Sequence, residues 1–348
     1  MIMPFHRTNV VNILLTGMLK IGVFNAIRSV FPNTLTVLNY HRIDNPFREG
    51  FDTFKPNVSA TPADFARQID FVRKNYNVIS CEYLDACLRG EKTLPAHAAM
   101  ITFDDGYYDN FAHAYPALKA QNLPAVIFLT TGFIGNIGDD KSFYWDYVAA
   151  CFYYTQNNHA TLPLLGDVSW SDEVSKEKIM HRWIEMLKKL PDEKKQDIIK
   201  STDKILNVSL PEGIFSNLYL SWPQVREMHQ NGIEFGSHTV SHPILTRIPL
   251  KDARNELNVS KKRIEDEIGK QQVISLAYPN GGISDFSSDV TKVVDEVGYK
   301  IAFTLLPGPT SYTSVRRKPL EIRRIFLSHR DAFPRFASKV VGAQRLIS

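Results

Sequence analysis

The stretch from Ala98 to Gly106 most constrains the fold, because a short apolar run ends abruptly in two carboxylates and a glycine. This pattern is typical of a buried strand with acids at its carboxyl end. Asp104 and Asp105 are neighbours on an extended chain, so their side chains point in different directions. One can bind a metal ion while the other accepts a proton. The alternative is an ordinary turn, since Asp-Asp-Gly also favours turns.

A second polar motif, GSHTVSHP at positions 236–243, follows another short apolar segment. Histidines four positions apart lie on one side of a helical turn, so both imidazoles can reach one ion. Isolated histidines at this spacing are usually surface residues, but together with a strand-end carboxylate they form a metal-hydrolase pattern. Two histidines and one carboxylate leave positions open for water and substrate. We predict that Asp105, His238 and His242 hold one divalent ion, with zinc as the expected metal.

The motifs TFDDG (102–106) and SHTVSH (237–242) resemble those of the NodB-homology polysaccharide deacetylases, carbohydrate esterase family 4, including members from exopolysaccharide systems. The segment AYPNGG (277–282) is similar to that family's proline-containing substrate-groove loop. The resemblance extends from about position 35 to 327, except between the first two motifs. It implies an α/β fold, a distorted (β/α) barrel of seven or eight parallel strands. Alternation of strands and helices alone would also allow an open, doubly wound sheet.

The resemblance also implies roles for individual residues. Asp104 would act as the catalytic base, and the substrate loop would comprise Tyr278, Pro279, Asn280 and Gly281, with the backbone N–H of Asn280 facing the oxyanion. Two histidines are candidates for the acid that protonates the leaving amine. They are His329, which ends a Leu-Ser-His match late in the chain, and His41, which ends the first predicted strand.

One family feature is missing, because Ala277 stands where the family often has an arginine that pairs with the base. The last predicted strand carries two adjacent arginines, whose side chains must point to opposite faces. We predict that Arg324 points inward and pairs with Asp104, since an unpaired inward arginine would be costly. Alternative partners are Glu321 and Asp285.

The chain divides into an N-terminal amphipathic helical segment (1–33), a barrel (34–336) and a C-terminal tail (337–348). A helical insertion at about 139–218 explains the long gap between the first two motifs. Residues 10–31 are largely apolar, but Lys20 and Arg28 interrupt the run, so a membrane-spanning helix is not expected. No small-residue cleavage site follows a compact apolar region, so secretion is poorly supported. The segment either docks on the core or contacts a membrane surface.

Composition adds little to these motifs. Three cysteines cannot all pair within one chain, and apolar surroundings suggest buried thiols, which weakly favours a cytoplasmic location, with membrane association left open. The net charge of +4 and the pI of about 8.8 do not by themselves indicate a nucleic-acid partner.

Three functions fit the pattern. The first is metal-dependent removal of N-acetyl groups from an amino-sugar glycan. The second is hydrolysis of an O-acetyl ester or of a non-sugar amide at the same site. The third is a non-catalytic glycan-binding domain, which the intact acid and histidine pairs disfavour because binding alone does not require an open metal site.

Overall fold

The computed structural model describes residues 5–135, 140–269 and 272–343, with the backbone alone for 5–10. Its strands are β1 (Thr34–Tyr40), β2 (Arg42–Ile43), β3 (Val58–Ala60), β4 (Asn77–Val78), β5 (Ala98–Phe103), β6 (Ala125–Leu129), β7 (His159–Leu162), β8 (Gly166–Ser169), β9 (Ile233–Ser237), β10 (Ser275–Ala277), β11 (Ile301–Pro307), β12 (Thr310–Ser311) and β13 (Ile322–Phe326).

The helices are α1 (Phe5–Lys20), α2 (Val23–Val30), α3 (Pro62–Asn75), α4 (Cys81–Leu88), α5 (Tyr115–Ala120), α6 (Tyr144–Tyr154), α7 (Glu173–Leu187), α8 (Asp192–Ile199), α9 (Thr202–Leu206), α10 (Trp222–Gln230), α11 (Leu250–Glu267), α12 (Ser288–Glu296), α13 (Tyr312–Arg317) and α14 (Phe333–Val340). Single 3-10 turns lie at Lys55–Asn57 and Leu245–Arg247, and a π-helical turn at Asn110–Ala114 precedes α5.

Seven parallel strands close into a barrel in the order β1, β13, β11, β10, β9, β6 and β5. The closing contact joins β1 to β5 along their whole lengths, from Leu35 opposite Ala98 to Tyr40 opposite Phe103. This pairing confirms the predicted barrel and excludes the open sheet. Both faces of β5 are buried, as expected for a parallel strand covered by helices.

The segment between β6 and α10 forms a layer beside the barrel, built from α6 to α9 and the hairpin β7–β8. It has its own apolar cluster, in which Trp183, Phe152 and Trp170 are buried. A stripe of large side chains packs inside this layer, and most of the charged side chains of the segment lie outside it.

Helices from both ends of the chain pack on the outside of the barrel. Phe24 and Ile27 of α2 are buried in the main core, and so are Phe336 and Val340 of α14. Helix α14 therefore crosses position 337, where the sequence analysis placed the start of the tail. Among the described residues, no single helix has the length and apolarity to cross a membrane, although α1 and α2 pass that test as a pair bent by 76°.

Candidate metal centre and active site

The predicted site residues come from strands that end at the same rim of the barrel. Asp104 and Asp105 follow β5, His238 follows β9, and His41 follows β1, while Arg324 lies within β13. Because the carboxyl ends of parallel strands meet at one end of a barrel, residues far apart in sequence become neighbours there.

The turn after β5 is conformationally demanding. Asp105 has a φ of 75° and Gly106 a φ of 80°, a region that side chains rarely adopt. A Cβ atom at position 106 would lie 2.8 Å from the end of the Ile134 side chain, which would have to move, so glycine suits this position both by its φ and by its size. The strained Asp105 backbone turns its carboxylate toward the histidines, and strain of this kind is concentrated at functional sites.

Asp105, His238 and His242 form one compact group of possible metal ligands. The two Nε2 atoms lie 3.1 Å apart, and each is 3.6 Å from Oδ1 of Asp105. The Nδ1–H of His238 donates to the backbone carbonyl of Ala277 at 2.7 Å, which leaves Nε2 free to coordinate. Such a bond to the other ring nitrogen is the usual outer support of a metal-binding histidine.

The chemistry of this group fits a cation. Both carboxylate oxygens of Asp105 are buried and have no hydrogen-bond partner among the described residues. Burial, with the charges of Asp104 and Asp146, raises the pKa of Asp105 well above its ordinary value. Burial lowers the pKa of His238 and that of His242. Neutral imidazoles beside an uncompensated carboxylate form a donor set that a divalent ion would satisfy.

The segment that carries both histidines is not the helical turn assumed from their spacing. Thr239 and His242 have φ values of 70° and 62°, so the chain forms an irregular loop and not a helix. The loop brings the two rings together all the same, because the Thr239 side chain accepts a hydrogen bond from the backbone of His242. The spacing correctly predicted that the two histidines are in contact, but the predicted helical turn was wrong.

Glu256, on α11, holds this loop in place. Its Oε2 accepts hydrogen bonds from the backbone N–H groups of Val240 and Ser241 at 2.7 and 2.9 Å, and its Oε1 accepts one from the Ser241 hydroxyl at 2.8 Å. One carboxylate thus ties down the residues between the two histidines.

We expect Glu256→Gln to weaken zinc affinity roughly 10- to 100-fold, the range seen when supports of a metal site are lost. A neutral amide accepts at only one of its two terminal atoms and lacks the charge that strengthens these bonds, so it should hold the loop more weakly. Chelator competition measures the affinity. The control is Glu265→Gln, the same change on the same helix, at a residue that accepts from the backbone of Val273 and not from this loop. Equal zinc affinity in wild type and Glu256→Gln would contradict this role.

Asp104 is held by three hydrogen bonds on the side away from the metal ligands. Arg324 donates from its two terminal nitrogens to the two carboxylate oxygens at 2.7 and 2.8 Å, and Asn39 donates to Oδ2 at 2.9 Å. The inward arginine predicted from strand parity is therefore present, whereas Arg323 is exposed. Burial alone would raise the pKa of Asp104, but Arg324, with His238 and His41, holds it well below the ordinary range.

The two acid candidates occupy different places. His41 lines the same cavity as the three candidate metal ligands, and its Nε2 lies 3.9 Å from Oδ2 of Asp104. His329 does not line this cavity: its Nδ1–H donates to the carbonyl of Val58 at 2.9 Å, and its ring packs on Phe47. Its neighbours Ser328 and Arg330 do line the cavity. Of the two acid candidates, His41 is therefore the one whose position suits the predicted role.

The predicted substrate loop contributes Asn280 to the cavity wall, but the other three predicted residues do not line it. Tyr278 is fully buried, where its hydroxyl donates to the Leu320 carbonyl at 3.1 Å and its ring stacks on Phe286. Pro279 and Gly281 instead shape the turn. Gly281 has a φ of 64°, and a Cβ there would come within 2.8 Å of the backbone nitrogen of Leu305. The prediction of direct contact with substrate is therefore kept for Asn280 alone.

The insertion supplies one wall of the cavity. Trp145 packs its ring edge-on against His242, with centroids 4.9 Å apart. Its indole N–H donates to the Tyr107 hydroxyl at 2.9 Å, which donates to Asp146 at 2.7 Å. Other insertion residues that line the cavity are Tyr144, His181, Glu185, Lys188 and Lys195. The only sequence signal was the aromatic run at 143–147.

Known proteins resemble this chain in sequence and in fold. A family model described as polysaccharide deacetylase matches residues 91–302. The Bacillus subtilis protein YxkH, which carries the name of a polysaccharide deacetylase, is 21% identical over 286 residues, 82% of this chain and 69% of that protein. The Escherichia coli poly-beta-1,6-N-acetyl-D-glucosamine N-deacetylase is 30% identical over 95 residues, 27% of this chain and only 13% of the enzyme.

Among solved structures, the Streptococcus pyogenes deacetylase PplD in complex with acetate matches with a TM-score of 0.58 and 19% sequence identity. The alignment covers 89% of this chain and 99% of PplD. At this level of identity the likeness concerns the fold, which is the same distorted barrel.

Proposed function

This chain belongs to the polysaccharide deacetylase family, and on that basis we propose that it removes N-acetyl groups from an amino-sugar polysaccharide or oligosaccharide with the help of one divalent metal ion. Zinc is the proposed ion, since two imidazoles and one carboxylate form a typical catalytic zinc donor set. The finer substrate class is suggested by the Escherichia coli relative, whose name specifies a β-1,6-linked N-acetylglucosamine polymer.

The observation that carries the proposal is the contrast between two adjacent carboxylates. Asp105 has both oxygens buried beside His238 and His242, with no hydrogen-bond partner in the described ranges of the chain. Asp104 has both oxygens held by Arg324. Paired acids in such different environments suit different tasks. Here Asp105 suits metal coordination and Asp104 suits proton transfer.

Amide hydrolysis needs an activated water, a stabilised oxyanion and a protonated leaving amine. A bound divalent ion supplies a more acidic water and a polarised acetyl carbonyl. Asp104, kept ionised by Arg324, would accept the proton of the attacking water. Asn280 lines the cavity, and its backbone N–H would stabilise the negative charge that develops on the acetyl oxygen.

His41 is the proposed donor to the leaving amine. Burial lowers the pKa of His41 to about 4, although Asp104 partly opposes this shift, so the ring is neutral at neutral pH. The proton it delivers must therefore arrive during turnover, and Asp104, 3.9 Å away, is the nearest source. Asp104 and His41 would together carry a proton from the water to the leaving amine, so the proton that the water loses is the one that the amine gains.

We expect His41→Ala to lower kcat on an N-acetyl oligosaccharide about 10²- to 10⁴-fold, the usual contribution of a positioned acid or base. The matched variant His329→Ala should stay close to wild type. An activated ester such as p-nitrophenyl acetate, whose leaving group needs no proton, should restore most of the rate to His41→Ala. If instead His329→Ala lost activity and His41→Ala kept it, the assignment would be reversed.

The function itself is tested by acetate release from N-acetylglucosamine oligomers with β-1,4 and β-1,6 linkages. We expect release to stop in the presence of a chelator and to resume when zinc, cobalt or manganese is added. An O-acetylated glycan and a simple acetanilide, assayed in parallel, distinguish the other hydrolase functions. Tight binding of oligomers without acetate release under any metal condition would indicate a glycan-binding domain and reject the proposal.

A further inference from the structure

Helix α1 is apolar on two faces, and only one of them packs on the part of the chain that the structure describes. On the opposite face, Ile13 and Leu14 are 71% and 62% exposed, and Ile21, in the turn after the helix, is 77% exposed. Ile13, Gly17 and Ile21 are four residues apart, so they follow one stripe. The core-facing side chains are Leu15, Met18 and Leu19. An exposed apolar face on a helix that already packs on the protein through another face is normally covered by lipid or by another molecule.

The exposed apolar side chains concentrate in this region. Thirteen large hydrophobic side chains are exposed among the described residues, and five of them fall between positions 11 and 30. Besides the three above, Val11 is 46% exposed and Val30, at the end of α2, is 69% exposed. Single exposed hydrophobic residues are normal, but a cluster marks a surface that another phase or molecule covers.

The charge of the segment is of one sign. No aspartate or glutamate occurs before Asp44, whereas Arg7, Lys20 and Arg28 lie within the first 33 residues. Lys20 is exposed at the end of α1, beside the apolar stripe. Basic residues at the edge of an apolar helical face are the pattern of helices that lie on membranes with anionic lipids.

We propose that α1 and α2 hold this protein on the surface of a membrane containing anionic lipid, with Ile13, Leu14 and Ile21 inserted among the headgroups. The proposal does not depend on the enzymatic activity. Docking on the core and contact with a membrane were alternatives at the level of sequence, but in the structure they use opposite faces of the same helix.

Two other occupants of the surface fit less well. To span a bilayer, the pair would have to straighten its 76° bend, and α2 would give up the core contacts of Phe24 and Ile27. A second copy of this segment supplies no opposite charge for the exposed Lys20, because no acidic residue precedes Asp44. An anionic lipid surface matches both the exposed apolar side chains and Lys20.

The position of the segment is compatible with catalysis. Neither helix lines the metal-site cavity. Arg28 donates to the backbone carbonyl and the side chain of Asn75, at the end of α3, next to the strand ends opposite to those that carry the site. Attachment through these helices therefore leaves the cavity open to a glycan in water.

The test is co-sedimentation of the full chain with phosphatidylcholine vesicles, with and without phosphatidylglycerol. We expect wild type to bind the anionic vesicles more tightly and to be partly released by salt. The double variant Ile13→Ser/Leu14→Ser should lower the partition coefficient at least about tenfold, because two large aliphatic side chains no longer leave water. Lys20→Gln should weaken binding to the anionic vesicles only.

The matched control is Val174→Ser/Val259→Ser, which removes two exposed aliphatic side chains from other helices and should bind vesicles like wild type. Acetate release from a soluble oligomer should be the same in wild type and in Ile13→Ser/Leu14→Ser. The proposal is overturned if wild type binds no vesicles, or if the double variant binds as well as wild type. It is also overturned by a lipid-free dimer that the double variant dissociates, or by membrane-bound protein that alkaline carbonate does not extract.

Discussion

Asp105→Asn, His238→Ala and His242→Ala should each remove both the bound divalent ion and the activity. The three side chains are all buried or nearly so, and each supplies one donor to the same small space. Each His→Ala variant leaves two donors, fewer than the three protein ligands that catalytic zinc sites use, and Asp105→Asn replaces a carboxylate by a neutral, weaker amide oxygen. Without the ion, the pKa of the attacking water returns from roughly 7 toward 15.7, so turnover should fall below detection. Metal content by plasma mass spectrometry and acetate release are measured on the same samples.

The neighbouring variant Asp104→Asn provides the contrast. Its carboxylate faces Arg324 and Asn39 and not the two histidines, so the metal content should remain that of wild type. Loss of the base should lower kcat about 10²- to 10⁴-fold. Equal loss of metal in Asp104→Asn and Asp105→Asn would contradict the assignment of Asp105 as the metal ligand and Asp104 as the base.

Strand periodicity and strand ends account for the parts of this site that could be predicted from sequence. Apolar runs that stop at polar motifs predicted the barrel rim, and alternation along β13 separated Arg324 from Arg323. These inferences depend on local geometry that a strand imposes on its own side chains. Strand alternation therefore also indicated that an arginine on a different strand, Arg324, takes the place of the one missing at position 277.

The parts that could not be predicted depend on contacts between distant segments or on irregular backbone. Thr239 and His242 have left-handed backbone conformations that the sequence does not indicate, because the same sequence fits a helical turn equally well. Glu256 has the spacing of a solvent-facing helix residue, and only the tertiary structure brings the loop against it. The same holds for Trp145, which reaches His242 from an insertion whose position relative to the barrel no local pattern encodes.

Arg324→Met should reduce turnover strongly while leaving the metal in place. Methionine keeps much of the volume of the arginine stem, but it leaves Asp104 buried without its cationic partner. Breaking a buried ion pair on one side costs about 3–5 kcal/mol of folding free energy. We therefore expect a lower unfolding midpoint, and a kcat reduced about 100-fold because the base is no longer oriented and ionised. Arg323→Met, which changes the exposed neighbour, is the control and should resemble wild type.

The pH dependence distinguishes loss of the ion pair from general damage. In wild type, burial raises the pKa of Asp104 but Arg324 outweighs it, so the folded-state pKa lies below the unfolded one. The pair therefore stabilises the folded protein above the ordinary carboxylate pKa, and this stability is lost only as the pH falls through the depressed value. In Arg324→Met the effect of burial dominates, so the acidic limb of the pH–rate profile should move to higher pH. Adding Asp104→Asn to Arg324→Met should recover much of the lost stability but no activity, because the uncompensated charge is gone together with the base. An unchanged acidic limb in Arg324→Met, or stability unaffected by adding Asp104→Asn, would show that Arg324 does not act through Asp104.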